Sequence, residues 1–230
     1  MTTDDQNGSR ERSVWSIEAD ASLQGVLESP GCPPLLLQTL TGPLSWQDRN
    51  RRMVRRAVAS PNVAPQWSAA LLALGATVTV EGDSEPAEIP VERLLAERPK
   101  GKITALHVRT QGVHWGKAHV GRTPADEPIV AAIAGVEMVN GKVSQARVAL
   151  TGVWPKAVAM AKAPAQLIGV PLGESQIQAV AAAVQEEVNP PGDYLGSIEY
   201  RRAMAGVLTR RALEHCLRFG SELDEGGDNA

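Results

Sequence analysis

The stretch IVAAIAGVEMVNGKVSQARVALT, at residues 129–151, holds two apolar runs that are separated by Asn140 and Gly141. An Asn-Gly pair between apolar runs favours a tight hairpin, because its turn requires positive φ at both central residues. Alternate residues of the second run are expected to lie on one face of the sheet. The stretch therefore predicts antiparallel strands at 129–138 and 143–151, and places a small antiparallel sheet in the C-terminal half.

Three helices are predicted after this hairpin. The first spans 164–168 and stops at Gly169, and the second spans 175–188 and ends before a Pro-Pro pair. The third begins after Ser197, which is a favourable N-cap residue. Gly206, inside this last helix, predicts a close helix–backbone contact. The apolar stripes place these residues in the core: Ile177, Val180, Ala181, Val184 and Val188 in the second helix, and Ala203, Val207, Leu208, Ala212, Cys216 and Phe219 in the third.

The preceding half of the chain mixes short helices and strands. A strand is predicted at 14–17, helices at 34–40 and 65–75, and strands at 76–80 and 103–109. A short helix is expected at 90–97. Together with the hairpin half, these elements predict an α+β fold in which helices pack on one side of the second sheet.

The composition of the 230-residue chain limits the classes of function. Hydrophobic residues make up 43 % and charged residues 21 %, which is typical of a globular protein. No apolar run approaches the roughly 20 residues of a membrane span, and the net charge of −3 argues against a general nucleic-acid binder. Two cysteines and no secretory signal favour the cytoplasm. Aromatic residues make up only 3 %, so few rings are available to stack on a cofactor.

The usual motifs of catalytic and metal sites do not occur in the sequence. No histidine pair has metal-ligand spacing, and neither a nucleophile elbow nor a phosphate-binding glycine loop is present. His107 is expected to be a structural histidine in a strand, and Cys216 a packing residue. Cys32, between Gly31 and Pro33, is expected in a turn where its thiol can be exposed. The sequence therefore predicts no catalytic residue and no metal site.

One segment is unusually basic, since residues 49–56 read RNRRMVRR. As a helix capped by Ser45, it would place Met53, Val54, Ala57 and Val58 on an apolar edge, with arginines opposite. Such a face suits an anion, an acidic partner or a nucleic acid. A solvated basic face that compensates acidic neighbours is the alternative. The candidate partner-binding residues are Arg49, Arg51, Arg52, Arg55 and Arg56.

From residue 13 to residue 217 the chain resembles the flavoprotein (medium) subunit of molybdenum hydroxylases, the family of carbon monoxide dehydrogenase and xanthine dehydrogenase. The similarity lies in residues 12–24, in RNR at 49–51 with AALLALGATV at 69–78, and most specifically in the C-terminal half. There it includes RTPAD at 122–126, the Asn-Gly hairpin, and GSIEYRR at 196–202 with VLTRRAL at 207–213.

The resemblance implies a domain order and a set of partners. Residues 1–12 would be a disordered leader, 13–112 a remnant of the FAD-binding middle subdomain without its N-terminal half, 113–219 the C-terminal domain, and 220–230 a disordered tail. FAD is the cofactor of the family. Molybdenum–molybdopterin and [2Fe-2S] clusters are expected in partner subunits, namely a large molybdopterin-binding subunit and a small iron–sulfur subunit. A full-length FAD subunit is a possible third partner.

The sequence departs from the family at the segment that holds the diphosphate. In the family, a glycine-rich Thr-Ile-Gly-Gly segment follows Arg-Asn-Arg-Gly. Here Arg52, Met53, Val54, Arg55, Arg56 and Ala57 occupy those positions. Glycine lets the backbone approach a diphosphate closely, and bulky side chains would fill that space. We therefore expect a structural or docking subunit that has lost FAD. The alternatives are an FAD-binding electron-transfer subunit completed by another chain, and a free-standing anion- or partner-binding module.

Overall fold

The computed structural model describes residues 14–82, 85–123 and 126–224, with side chains up to residue 218. The predicted leader at 1–12, the end of the predicted tail and the side chain of Phe219 lie outside this description. Among the described helices, none combines the length and the apolar character that crossing a membrane requires.

The first half contains a four-stranded antiparallel sheet in the order β1-β4-β2-β3. Its strands are β1 (Val14–Glu18), β2 (Thr77–Glu81), β3 (Ala87–Pro90) and β4 (Lys102–Arg109). The helices of this half are α1 (Leu23–Glu28), α2 (Pro34–Leu40), α3 (Trp46–Arg51), α4 (Val54–Ala59), α5 (Pro65–Ala73) and α6 (Val91–Glu97). A 3₁₀ turn, Pro61–Val63, joins α4 to α5.

The second half contains another four-stranded antiparallel sheet, in the order β5-β6-β7-β8. Its strands are β5 (His114–Val120), β6 (Val130–Val139), β7 (Lys142–Thr151) and β8 (Val158–Met160). A 3₁₀ helix (Ala163–Leu167), α7 (Glu174–Glu187) and α8 (Ile198–Asp224) follow. The predicted α+β class is confirmed. Helix α8 continues past residue 219, where the C-terminal domain was expected to end.

The predicted hairpin is confirmed as β6–β7. Asn140 and Gly141 have φ of 51° and 73°, so both central residues of the turn adopt the positive φ that their residue types favour. The helix after Ser197 is also confirmed, and the hydroxyl of Ser197 accepts a hydrogen bond from the Tyr200 N–H at 3.2 Å. By contrast, β3, β5 and β8 were not predicted.

Helices α7 and α8 pack on one face of the second sheet, and the apolar stripe of α7 is buried as predicted. The stripe of α8 was partly wrong, because Ala203 and Val207 are only half-buried. Leu208, Ala212 and Cys216 are buried as predicted. The buried face also includes Arg201, Ala205, Thr209 and Leu213, so it is centred slightly to one side of the predicted stripe. Gly206 lies against α7, where an added Cβ would come within 3.2 Å of the Ala181 carbonyl oxygen, so the predicted close contact is confirmed.

Helix α5 lies between the two halves. All of its residues except Pro65 are buried, and it packs on α2 on one side and on β6, β7 and β8 on the other. A helix that is apolar all round is expected in such a central position.

His107 is a structural histidine as predicted, since its ring nitrogens lie 2.8 Å from the hydroxyls of Ser16 and Thr79. Cys216 is buried as predicted. The expected exposure of Cys32 was wrong: this residue is 8 % exposed and packs in the core of the first half. Burial raises the pKa of its thiol to about 12.

Candidate functional site

The basic segment at residues 49–56 forms two short helices rather than one. Ser45 caps α3 as predicted, with its hydroxyl accepting a hydrogen bond from the Asp48 N–H at 3.1 Å. The chain then becomes extended at Arg52 and Met53, because the Arg52 carbonyl accepts a hydrogen bond from the Leu23 N–H at 2.8 Å. Helix α4 starts after this break. It buries Val54, Ala57 and Val58 as predicted.

Met53 departs from the predicted apolar edge, because its side chain is 41 % exposed. It lies at the extended break, opposite Ser22 in an isolated antiparallel bridge. Its side chain is therefore available to line the surface beside the arginines.

Two of the five arginines are held inside the chain's own structure. The guanidinium of Arg49 donates to the Gln24 side chain at 2.9 Å and also to the Leu44 carbonyl. Arg52 donates to the Val63 carbonyl and forms an ion pair with Asp48. These contacts tie α3 to the loops around it, so Arg49 and Arg52 have a structural use.

The carboxylate of Asp48 takes part in the same arrangement. The Ser45 hydroxyl donates to it at 2.7 Å, and the guanidinium of Arg52 lies 3.2 Å away. The Ser45 hydrogen bond, together with the charge of Arg52, lowers the pKa of Asp48. Asp48 therefore holds Arg52 as an ionised partner.

The other three arginines are exposed and line a basic cavity of about 490 Å³. Arg51, Arg55 and Arg56 come from α3 and α4, and Lys102 comes from the start of β4. Arg55 lies 2.7 Å from Asp20, and Lys102 lies 3.7 Å from the same carboxylate. Within the described part of the chain, the side chains of Arg51 and Arg56 form no hydrogen bond and no ion pair. The basic cavity thus carries a clear excess of positive charge.

A second cavity, of about 400 Å³, lies between the two halves of the molecule. We call it the interdomain cavity. Leu72 of α5 and Leu95 of α6 line it from one side, and Val158 and Met160 of β8 line it from the other. Its charged lining residues are Glu92, Arg98 and Lys156.

The two cavities adjoin at the end of α4, because Ala59 lines both. Sequence reasoning identified the arginines of α3 and α4 but missed Lys102, Arg98 and Lys156. These three residues lie on other elements, and only the folded chain brings them to the same surface. No local sequence signal indicates this grouping.

The backbone of residues 52–57 bears on whether this segment can hold the diphosphate of FAD. Five of its backbone N–H groups already donate to backbone carbonyls, at 2.8–3.1 Å; they belong to Arg52, Val54, Arg55, Arg56 and Ala57. Among them, the N–H groups of Val54 and Arg55 donate to the carbonyls of Ala21 and Ala19. The Arg55 side chain also occupies the space between Asp20 and Met53. The segment therefore does not fit a diphosphate through backbone N–H contacts.

Metal binding and nucleophilic catalysis are two further kinds of chemistry for which this surface can be considered. Within residues 14–82, 85–123 and 126–224, no group of three or more histidine, cysteine, aspartate or glutamate side chains is placed to hold a metal ion. The basic cavity has no hydroxyl or thiol side chain among its lining residues. What this arrangement can do chemically is attract and bind negatively charged groups.

Comparison with known proteins supports the resemblance seen in the sequence. Residues 118–216 match the family model of the CO dehydrogenase flavoprotein C-terminal domain. The carbon monoxide dehydrogenase medium chain of Hydrogenophaga pseudoflava is 26 % identical over 188 residues, which cover 78 % of this chain and 66 % of that one. The glyceraldehyde dehydrogenase medium chain of Sulfolobus acidocaldarius is 23 % identical over 175 residues, covering 73 % and 62 %. The chain thus spans less than two thirds of the length of these relatives.

Solved structures show the same fold. A chain of carbon monoxide dehydrogenase from Hydrogenophaga pseudoflava superposes with a TM-score of 0.75 and 24 % identity, covering 90 % of this chain and 76 % of that one. A chain of quinoline 2-oxidoreductase from Pseudomonas putida 86 gives a TM-score of 0.72 and 21 % identity, covering 92 % and 77 %.

The fold is α+β, and residues 118–216 form a CO dehydrogenase flavoprotein C-terminal domain. The resemblance to the flavoprotein (medium) subunits of molybdenum hydroxylases is confirmed, since most of the chain is similar to the medium chains of carbon monoxide dehydrogenase and glyceraldehyde dehydrogenase.

Proposed function

We propose that this chain is a medium-subunit-like component of a molybdenum hydroxylase complex, in which it serves as a structural and docking subunit without FAD of its own. The matched C-terminal domain and the similarity to medium chains support the first part of the proposal. The state of residues 52–57 supports the second part. The partners proposed are a large molybdopterin-binding subunit and a small iron–sulfur subunit, which would carry the redox centres.

The main support for the loss of FAD is that five backbone N–H groups of residues 52–57 already donate hydrogen bonds within the chain. The N–H groups of Val54 and Arg55 are 2.9 Å and 2.8 Å from the carbonyl oxygens of Ala21 and Ala19. A diphosphate would need these groups free, or would need glycine at positions 55 and 56 so that other backbone atoms can approach. Two arginine side chains stand there instead.

The docking role rests on the exposed cations. Arg51, Arg55 and Arg56 face solvent around the basic cavity, and of these three only Arg55 has an ion pair within the described chain, with the exposed Asp20. Arg49 and Arg52 instead donate to backbone carbonyls of the chain. We therefore narrow the proposed partner contact to the three exposed arginines together with Lys102. Exposed arginines that are not needed for folding suit an intermolecular contact.

A second candidate function is electron transfer through an FAD that another chain helps to hold. The positive charge of the basic cavity favours it, because cationic side chains attract phosphate groups. A free-standing module that binds an anion or a partner is a third candidate, supported by the same charge.

The composition of the native complex separates these candidates. We expect a complex purified through this chain to contain iron and molybdenum. After the FAD bound by any other flavoprotein subunit is subtracted, less than one FAD should remain for each copy of this chain. One FAD per copy would overturn the loss of the cofactor and favour the second candidate. Recovery of the chain without any iron–sulfur or molybdopterin subunit would favour the third.

The docking surface can be tested in the same preparation. Arg55→Ala with Arg56→Ala should weaken assembly and leave the fold intact, since exposed substitutions usually cost under about 0.5 kcal/mol. Arg210→Ala with Arg211→Ala on α8 is the matched control, because it removes the same charge from another exposed surface. Equal yields of complex for the two double variants would contradict the docking role.

A further inference from the structure

The two cavities share one lining residue, Ala59, which is the last residue of α4 and is exposed. We call the surface that the two cavities form together the α4 groove. Arg55, Arg56 and Ala59 of α4 line the basic cavity, and Ala59, Pro61 and Asn62 line the interdomain cavity. A ligand in the groove would therefore meet two environments in succession.

The two environments differ in chemistry. The basic cavity presents Arg51, Arg55, Arg56 and Lys102, and two of these cations share the single carboxylate of Asp20. The interdomain cavity offers an apolar wall formed by leucine, valine and methionine side chains. At its rim, two cations, Arg98 and Lys156, accompany one carboxylate, Glu92.

The charge of the whole groove is strongly one-sided. Its lining includes six cationic side chains and one carboxylate, on a chain whose net charge is −3. Such a concentration of one sign raises the local concentration of a ligand of the opposite sign. Arg51 is near enough to Asp48 for its charge to act on that carboxylate, but in the described structure neither Arg51 nor Arg56 forms an ion pair, so these two guanidinium groups can bind carboxylates from another molecule.

We infer that the α4 groove is the binding site for an extended acidic segment of a partner polypeptide. The carboxylates of the segment pair with the cations of the basic cavity, and an apolar side chain beside them enters the interdomain cavity. This inference rests on the docking role proposed above and specifies the chemistry of the partner. An extended polypeptide suits this groove because its successive side chains can differ, so that acidic ones meet the basic cavity and an apolar one meets the interdomain cavity.

The test measures binding of a defined peptide to the 230-residue chain. The probe is a fluorescein-labelled peptide of sequence DEDLDED, followed by fluorescence anisotropy at low ionic strength. Two control probes replace its leucine by serine or its acidic residues by lysine. We expect the leucine probe to bind, the serine probe to bind about tenfold more weakly because an apolar contact is lost, and the lysine probe not to bind.

Variants locate the site. Arg51→Glu with Arg56→Glu should weaken binding of the leucine probe by at least about tenfold. Arg210→Glu with Arg211→Glu changes the net charge equally and should leave binding within about twofold. Ala59→Trp narrows the junction between the cavities without touching the core, and should reduce the preference for leucine over serine. If a charge-reversal variant folds poorly by circular dichroism, Arg51→Gln with Arg56→Gln replaces it.

The outcomes distinguish this inference from the proposed function. Equal binding of the leucine and serine probes, or equal loss in the two charge-reversal variants, would overturn the α4 groove as a site for an acidic segment with an apolar residue. If Arg55→Ala with Arg56→Ala still weakens assembly in that case, the docking role stands and only its chemistry is wrong. Release of the leucine probe by salt supports the ionic part of the contact.

Discussion

Arg109, the last residue of β4, donates hydrogen bonds to both carboxylate oxygens of Glu137 on β6 and thereby joins the two sheets. Arg147 of β7 donates to the same carboxylate at 2.9 Å. The Glu137 side chain is 13 % exposed. Burial alone would raise the pKa of Glu137, but the hydrogen bonds and charges of the two arginines outweigh it and lower the pKa below its ordinary value of 4.5.

Because the folded-state pKa of Glu137 is lowered, its ionised form stabilises the fold above pH 4.5, and this contribution is lost as the pH falls through the folded-state pKa. Glu137→Gln should lower the free energy of unfolding at pH 7 by about 1–3 kcal/mol, since charged hydrogen bonds are removed. The difference from the parent chain should shrink as the pH falls below 4.5 towards the lowered pKa of Glu137. Urea unfolding at a series of pH values measures both effects.

The exposed pair between Arg93 and Glu97 is the control for this experiment. Glu97→Gln should change stability by about 0.5 kcal/mol or less, because exposed helix pairs contribute little. A Glu137→Gln difference that is constant over the whole pH range would contradict the assignment.

Gly135→Ala should disturb the contact between the second sheet and α5. An added Cβ at residue 135 would lie 2.1 Å from the Ala73 carbonyl oxygen, so the strand and the helix must separate. Overpacking of this kind costs about 1–3 kcal/mol. Gly82→Ala is a suitable control, since its nearest contact would be an ordinary 3.6 Å. Thermal unfolding of the two variants measures the difference, and equal melting temperatures would refute the close approach.

Val184→Ala and Val207→Ala make a matched pair for the C-terminal domain. Val184 of α7 is fully buried, whereas Val207 of α8 is only half-buried. Val184→Ala should destabilise the domain by roughly 1–4 kcal/mol through lost burial and an internal cavity. Val207→Ala should cost clearly less. Denaturant unfolding followed by far-UV circular dichroism tests the order, and a reversed order would show that the buried face of α8 is assigned wrongly.

Both cysteines should be unreactive in the folded chain. Cys32 and Cys216 are buried, and burial raises the pKa of each thiol, that of Cys32 to about 12. Treatment with a thiol reagent at pH 8 should modify neither residue until denaturant is added, after which both should react. Rapid modification of Cys32 in the native chain would show that its thiol is exposed, as its turn sequence predicts, and would contradict its burial.

The elements that sequence predicted are those with local causes. The β6–β7 hairpin follows from Asn140 and Gly141, and the start of α8 follows from the Ser197 cap. Strand β8 has only three residues and is defined by its pairing with β7, so no local sequence pattern predicts it. Strand β5 contains Gly116 and mixes polar with apolar residues. It is a strand because it pairs along its whole length with β6.

In the candidate site, too, features with a local cause could be predicted from the sequence and features that depend on distant residues could not. The basic character of residues 49–56 is visible in the sequence, but the roles of the individual arginines are not. Arg49 turns inward because the Gln24 side chain and the Leu44 carbonyl are placed to accept from it. Arg56 finds no such acceptor in the described structure and stays exposed. These orientations depend on residues far apart in sequence, and therefore only the fold reveals them.

The central position of α5 bears on how the molecule folds and how it can be divided. Its buried residues complete the core of the first half on one side and cover the second sheet on the other. A C-terminal fragment that begins near residue 112 would lack α5, so the apolar face of β6 and β7 that α5 covers would be exposed to water. Such a fragment would tend to aggregate. The two halves consequently share α5 as a common part of their cores, and neither half keeps its buried surface when the other is removed.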